Sequence, residues 1–294
     1  MPQPSAALAP FLALPDLATL PLPPAAQPAD GVRLLRGVPC CFRDGSRPLE
    51  LDLWLPEGRP AGPLPVIVFV HGGAWRKGMR DDLGPRFRAW RPGPFARLAR
   101  AGFAVACPDY RLSGEAPFPA QEDDLTEALR WLDGRGDELG LDMRRLVTWG
   151  ESAGAHLAAL LALSTGPQAS GCVVWYGPTD LTAAPAGTPE ATLLGGPAAE
   201  RPELARAASP VARVTAGAPP FLVLHGTDDS LIPPAQGEAL VAALQQAGAE
   251  AEFVPVPGAD HLWVGPDDSV VEDCFARSLA FALDVTGVEG DDGL

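Results

Sequence analysis

Lysine is almost absent from this 294-residue sequence: Lys77 is the only one, and every other basic residue is arginine. Together with abundant Ala, Gly and Pro, that scarcity reads as the coding bias of a GC-rich genome and carries no chemistry. Positive charge as a whole is short. Twenty-two Lys and Arg stand against 37 Asp and Glu, a formal net charge of −15 with a sequence pI near 4.6. Such a surface repels phosphate backbones and anionic lipid, which argues against nucleic-acid and membrane-surface partners. No stretch approaches the roughly eighteen uninterrupted apolar residues of a membrane span. The N-terminus has no basic segment, and proline repeatedly interrupts its apolar stretch, so no secretory signal is expected. The five cysteines (Cys40, Cys41, Cys107, Cys172, Cys274) are odd in number and lack C-x-x-C spacing. They read as small buried hydrophobes, and the expected location is cytoplasmic, with thiols reduced. No internal repeat is visible.

What is present is an ordinary apolar fraction, 47%, enough for one α/β domain with a sizeable core. From about residue 31, short β-rich runs alternate with helical patterns, the signature of a mostly parallel sheet flanked by helices. Eight strands are expected: GVRLLRG, LELDLWL, PVIVFVHG, FAVACPDY, RLVTWG, CVVWYG, FLVLHG and AEFVPVPG. The first two alternate apolar and polar residues and should form an antiparallel edge, whereas runs such as VIVFV are continuously apolar, as central strands are. Helices are expected near 94–101, 121–138, 152–164, 235–247 and 269–284. Three segments fall outside the catalytic-domain rhythm of 31–286. Residues 1–30 are proline-broken yet apolar and should either pack over the domain near the site entrance or form a mobile arm; 178–218, rich in Pro, Gly and Ala, should form a small partial cap; 287–294 should be a disordered tail.

The stretch GESAGAH at 150–156 raises a specific question about Ser152. Serine is a favoured helix N-cap, and a helical pattern follows it, so the hydroxyl could simply cap. Catalysis by that hydroxyl would need a base, an acid to orient the base, and donors for an oxyanion. Its place between the strand RLVTWG and a helix is that of a nucleophile elbow, where Gly150 and Gly154 would relieve collisions across a tight turn. The base search is short, because the chain has four histidines. His156 lies one turn along the same helix and cannot swing back to Ser152; His71 and His225 precede glycines at strand ends, where a ring supports a turn. His261, in the loop after the last strand, remains. For the acid, HGTDDSLIP offers Asp228 and Asp229, which could instead cap the following helix. The HGGAW loop, with Gly72 and Gly73 turning the backbone inward, assigns the oxyanion donors to the amides of Gly73, Ala74 and Ala153.

With those residues identified, the chain resembles an α/β-hydrolase of the carboxylesterase type, in the hormone-sensitive-lipase-like and feruloyl or acetyl esterase branches. The resemblance runs from about 31 to 285, through HGGAW (71–75), DYRL (109–112), GLDMRRLVTWGESAGAHLAAL (140–160), SPVARV (209–214), PPFLVLHGTDD (219–229) and GADHLW (258–263). The family's H-G-x-x-D pattern implies Asp229 as the acid and His261 as the base. Asp109, Tyr110 and Arg111 match a motif that braces the oxyanion loop. Two departures stand out: Ala74 replaces the fourth residue of H-G-G-G, and Ala155 replaces the second glycine after S-A-G.

The resemblance implies a serine esterase that needs no metal or cofactor and takes small esters with a short or aryl acyl group as substrate. Trp75, Trp175, Tyr176 and Trp263 adjoin the motifs and either line its pocket or pack the core. Glu151 reads as a structural or helix-start acid. H-G-G-x-W with S-A-G-A-H-L is also similar to arylformamidases, which makes an amidase acting on N-formylkynurenine the alternative. A non-catalytic binding protein on the same fold is the reading from another class.

Overall fold

Strand Leu64–Val70 shows how a continuously apolar run is satisfied: Val66, Val68 and Val70 enter one hydrophobic cluster, while Ile67 and Phe69 enter another. Alternate side chains point to opposite faces of a strand, so such a run demands cover on both. The computed structural model, which describes residues 8, 14–43, 45–58, 62–164 and 169–288, supplies it. Nine strands form one sheet: β1 Ala26–Ala29, β2 Val32–Cys41, β3 Leu49–Pro56, β4 Leu64–Val70, β5 Ala104–Pro108, β6 Leu141–Glu151, β7 Gly171–Trp175, β8 Phe221–Gly226 and β9 Ala251–Val256. Their spatial order is β1-β2-β3-β5-β4-β6-β7-β8-β9. Strands β1 to β3 are antiparallel, and the strands from β5 to β9 run parallel. The eight expected strands are all there, with LELDLWL and GVRLLRG on the antiparallel side. The additional strand is β1, AQPA, whose proline and lack of branched residues hide it from propensity; as an exposed edge strand it tolerates both.

The helices are α1 Pro94–Arg100, α2 Ala120–Gly134, α3 Gly136–Leu139, α4 Ala153–Leu163, α5 Pro189–Leu194, α6 Pro202–Ala207, α7 Pro210–Arg213, α8 Ala235–Gln246 and α9 Asp268–Thr286. Residues of α2, α4 and α8 build the cluster on one face, and α1 and α9 the cluster on the other. Helix α4 is buried on every side up to Ala162, which its Ala- and Gly-rich sequence permits. Within 178–218, where no helix is expected from the sequence, lie α5, α6 and α7. Each has proline in its first turn, where the missing N–H costs nothing, so proline here starts helices instead of breaking them.

The described part of the N-terminal segment packs on the domain. Leu17 and Leu22 pack against the core, the Trp131 indole donates to the Leu17 carbonyl (3.1 Å), and Arg135 donates to that of Leu20 (2.8 Å). The tail beyond Val288 and residues 1–7 and 9–13 lie outside the described residues. All five cysteines are buried and free, and among the described residues no helix is long and apolar enough to cross a membrane.

Candidate active site

Ser152 occupies the N-cap position of α4, but its hydroxyl makes no capping hydrogen bond. Its backbone sits at φ 53°, ψ −123°, a conformation that costs an ordinary residue about 1–3 kcal/mol and swings Oγ away from the helix end. The turn that imposes this is crowded by backbone. A Cβ on Gly150 would overlap the Gly154 carbonyl, and one on Gly154 would overlap the Val70 carbonyl, so both positions exclude side chains.

Oγ of Ser152 lies 2.9 Å from Nε2 of His261, and Nδ1 of His261 lies 2.8 Å from Oδ2 of Asp229. Since a carboxylate only accepts, Nδ1 carries the proton and Nε2 is left free to receive one. Asp229 is the acid that reaches the ring; Asp228 is exposed and bonds to its neighbour Thr227. Oδ1 of Asp229 accepts from the amides of Leu231 (2.9 Å) and Ile232 (2.8 Å). Burial alone would raise this carboxyl, but hydrogen bonds from His225, His261 and Ile232 outweigh it and hold it well below the usual carboxylate range. His225 does more than support a turn. Its Nε2 donates to the Ile232 carbonyl (2.9 Å) and lies 3.4 Å from Oδ2 of Asp229, so it also steadies the acid.

The acid and base loops are stitched together independently of the triad. Asp260 Oδ1 accepts from the amides of Ser230 and His261, both at 2.7 Å, and the Asp228 amide donates to the Ala259 carbonyl (3.0 Å). Arg86 reaches across from another loop, donating to the carbonyls of Trp263 (2.6 Å) and Pro266 (3.0 Å).

After β4 the chain runs through three successive positive φ values, 107° at Gly73, 56° at Ala74 and 55° at Trp75. Among the described residues the amides of Gly73, Ala74 and Ala153 donate to no protein acceptor. The Gly72 amide does not join them, because Glu151 Oε1 accepts it at 2.8 Å. Glu151 thereby anchors the loop that carries the free amides. Burial pushes its carboxyl up to about 7, and its second oxygen has no partner. The loop is braced from outside as well. The Tyr110 hydroxyl donates to the His71 carbonyl (3.0 Å), and Arg80 spans Glu50, Asp52 and Asp109 at 2.8, 2.8 and 2.9 Å. His156, read as unable to act on Ser152, accepts from the Trp75 indole (3.2 Å) and donates to the Ala208 carbonyl (2.7 Å); burial lowers its pKa to about 4, so it stays neutral.

A cavity of about 200 Å³ opens beside Ser152, with Ala74, Trp75 and Ala153 in its wall. Of the four aromatic residues considered for the pocket, Trp75 lines it. Trp175, Tyr176 and Trp263 instead form the fully buried layer beneath the base: Tyr176 meets the His261 ring edge-on at 4.8 Å between centroids, Trp263 packs on Tyr176 at 4.6 Å, and Trp175 packs on Trp263 at 5.6 Å. These rings pack behind the imidazole, and none of the three lines this cavity. The rest of the wall was not anticipated: Pro178, Thr188, Pro189 and Glu190 from the 178–218 insertion, and Leu231 and Ile232 after the acid. T-P-E at 188–190 is a legible helix start, with Thr188 Oγ accepting from the Ala191 amide at 3.2 Å, but only the fold brings it over Ser152. Among the described residues no group of three or more His, Cys, Asp or Glu is arranged to hold a metal ion.

Chemically, the arrangement can remove a proton from a serine hydroxyl, orient and stabilise the resulting imidazolium, and hold a developing oxyanion with three amides. Comparison with known proteins agrees. The chain is 33% identical over 241 residues to esterase LipC of Mycobacterium tuberculosis, an alignment covering 74% of this chain and 58% of that protein. It is likewise 33% identical to esterase LipQ of the same organism, over 75% of this chain and 55% of the relative, so the chain spans little more than half the length of these curated relatives. Among solved structures it resembles a truncated carbohydrate esterase from gut microbiota, with TM-score 0.70, 27% identity, and coverage of 81% of this chain and 91% of that one. A model of the BD-FAE family matches residues 51–244, from β3 through α8, which takes in the nucleophile elbow, the oxyanion loop and the acid. The chain therefore belongs to the BD-FAE family, within the α/β-hydrolases of the carboxylesterase type.

Proposed function

We propose that this protein is a serine carboxylesterase that cleaves small carboxylic esters, with a short or aryl acyl group, through an acyl-enzyme. The reading rests on one observation above all: the unbroken 2.9 and 2.8 Å relay from Ser152 through His261 to Asp229, beside three amides that have no acceptor among the described residues. In the first step Nε2 of His261 takes the Ser152 proton as Oγ attacks the ester carbonyl. The amides of Gly73, Ala74 and Ala153 hold the oxyanion. His261 then returns its proton to the leaving alcohol, and a water, deprotonated by the same ring, releases the acid and frees Ser152. A small acyl group suits a cavity of about 200 Å³, below the roughly 300–1,000 Å³ of sites for drug-sized ligands. Residues 178–218 act as a partial cap, supported by the four residues they contribute to that wall. The esterase names of the relatives favour ester over formamide as substrate.

Replacing Ser152 by Ala is expected to abolish hydrolysis of a short aryl ester, such as an aryl acetate, and labelling by a fluorophosphonate, with the far-UV circular dichroism spectrum unchanged. Retained turnover in that variant refutes the assignment.

A further inference from the structure

Among the described residues lining the cavity beside Ser152, Glu190 is the one that carries a carboxylate or a basic group. Its neighbours there are Trp75, Pro178, Pro189, Leu231 and Ile232, which are apolar, and Thr188. Among the described residues Glu190 forms neither an ion pair nor a hydrogen bond, whereas most acidic side chains near the site are engaged: Glu151 with Gly72, Asp229 with His261, and Asp260 with Ser230. Starting α5 does not require it. Thr188 already caps that helix and Pro189 fills its first position.

A carboxylate held at the rim of a small, largely apolar cavity, half shielded from water, is attracted to a cation and repels an anion. Among the described residues of the wall there is no arginine or lysine to welcome a carboxylate or phosphate on the substrate. The net charge of −15 adds a field of the same sign, which concentrates cations near the protein and depletes anions. We infer that Glu190 selects the substrate, favouring esters that carry a positively charged nitrogen a few bonds from the scissile carbonyl over neutral or anionic ones of the same shape. This rests on the esterase reading and names the substrate class of the same site.

Acetylcholine and 3,3-dimethylbutyl acetate test it, because the two esters share an acyl group and a shape and differ in one positive charge. The wild-type protein is expected to prefer the cationic ester by about five- to tenfold in kcat/KM, mostly through KM, as befits a partly exposed charge pair. In the Glu190→Gln variant the ratio of the two kcat/KM values should fall to about one, and in the wild type it should shrink as ionic strength rises. Hydrolysis of both esters at equal kcat/KM by the wild type overturns the proposal, and so does a preference that the Glu190→Gln variant keeps. Failure of the wild type to hydrolyse either ester while it still cleaves an aryl acetate overturns the proposal alone; failure on the aryl acetate as well overturns the esterase reading, and the proposal with it.

Discussion

At the scale of single residues, strain and burial mark the site more sharply than residue type does. The six non-glycine residues with positive φ among the described residues are Ala74, Trp75, Ser152, Tyr176, Leu262 and Trp263, and all lie in the loops around the proposed triad. Each costs of the order of 1–3 kcal/mol and persists because the surrounding structure allows no alternative. Glu151 is a second kind of cost. Its burial raises its carboxyl from 4.5 to about 7, so between those values the folded protein holds a proton that the unfolded chain has released. Stability contributed at this position is therefore greatest below about pH 4.5 and declines until about pH 7, by up to about 3 kcal/mol. Gln keeps an acceptor for the Gly72 amide without the charge. The Glu151→Gln variant should gain on the wild type by about 1–3 kcal/mol between pH 5 and pH 8 in urea unfolding; an equal pH dependence in the two proteins would contradict this account of Glu151.

At the scale of elements, the site is an assembly of strand ends. Glu151 closes β6, the oxyanion loop leaves β4, Asp229 follows β8, and His261 follows β9, all at the carboxyl edge of the parallel strands, where ligands bind in open α/β sheets. The loops need ties of their own, and Arg86 is one that the triad logic does not reveal. Its contacts to the Trp263 and Pro266 carbonyls and to Asp268 pin the loop that carries His261 to the start of α9. Arg86→Ala should leave the sheet intact but loosen the imidazole, lowering kcat about tenfold with little change in KM, the equivalent of one charge-assisted hydrogen bond of about 1.5 kcal/mol. Steady-state kinetics beside a thermal melt would check it, and wild-type kcat would show that the loop holds without the tie.

At the scale of the whole molecule, one sheet with a cluster on each face carries the stability, and the acidic surface governs behaviour in solution. With a sequence pI near 4.6, the like charge that makes copies repel one another is large at neutral pH and vanishes in mild acid. Solubility should pass through a minimum near pH 4.6, read by turbidity across pH 3.5–8. A minimum above pH 6 would mean that many carboxyls, not Glu151 alone, titrate far above their ordinary range.

Periodicity and motif chemistry carried most of this into the sequence. Apolar runs long enough for strands showed the parallel core, because burial on both faces leaves no polar alternation. Gly150, Ser152 and Gly154 marked the elbow, because only such residues fit a turn closed against its own backbone. With four histidines to choose from, His261 was reachable by elimination. The N–H supply of HGGAW was legible because glycine frees the backbone. Other features depended on distance in space, which one-dimensional spacing does not record. Strand β1 owes its existence to an edge that accepts it. Trp175, Tyr176 and Trp263 adjoin motif residues in sequence, yet only the fold stacks them on one another with Tyr176 against His261. Thr188, Pro189 and Glu190 look like any helix start, and only the path of the chain after β7 sets them over Ser152. Side-chain chemistry is local and can be read in order; which wall a side chain faces is a property of the packed sheet and its loops.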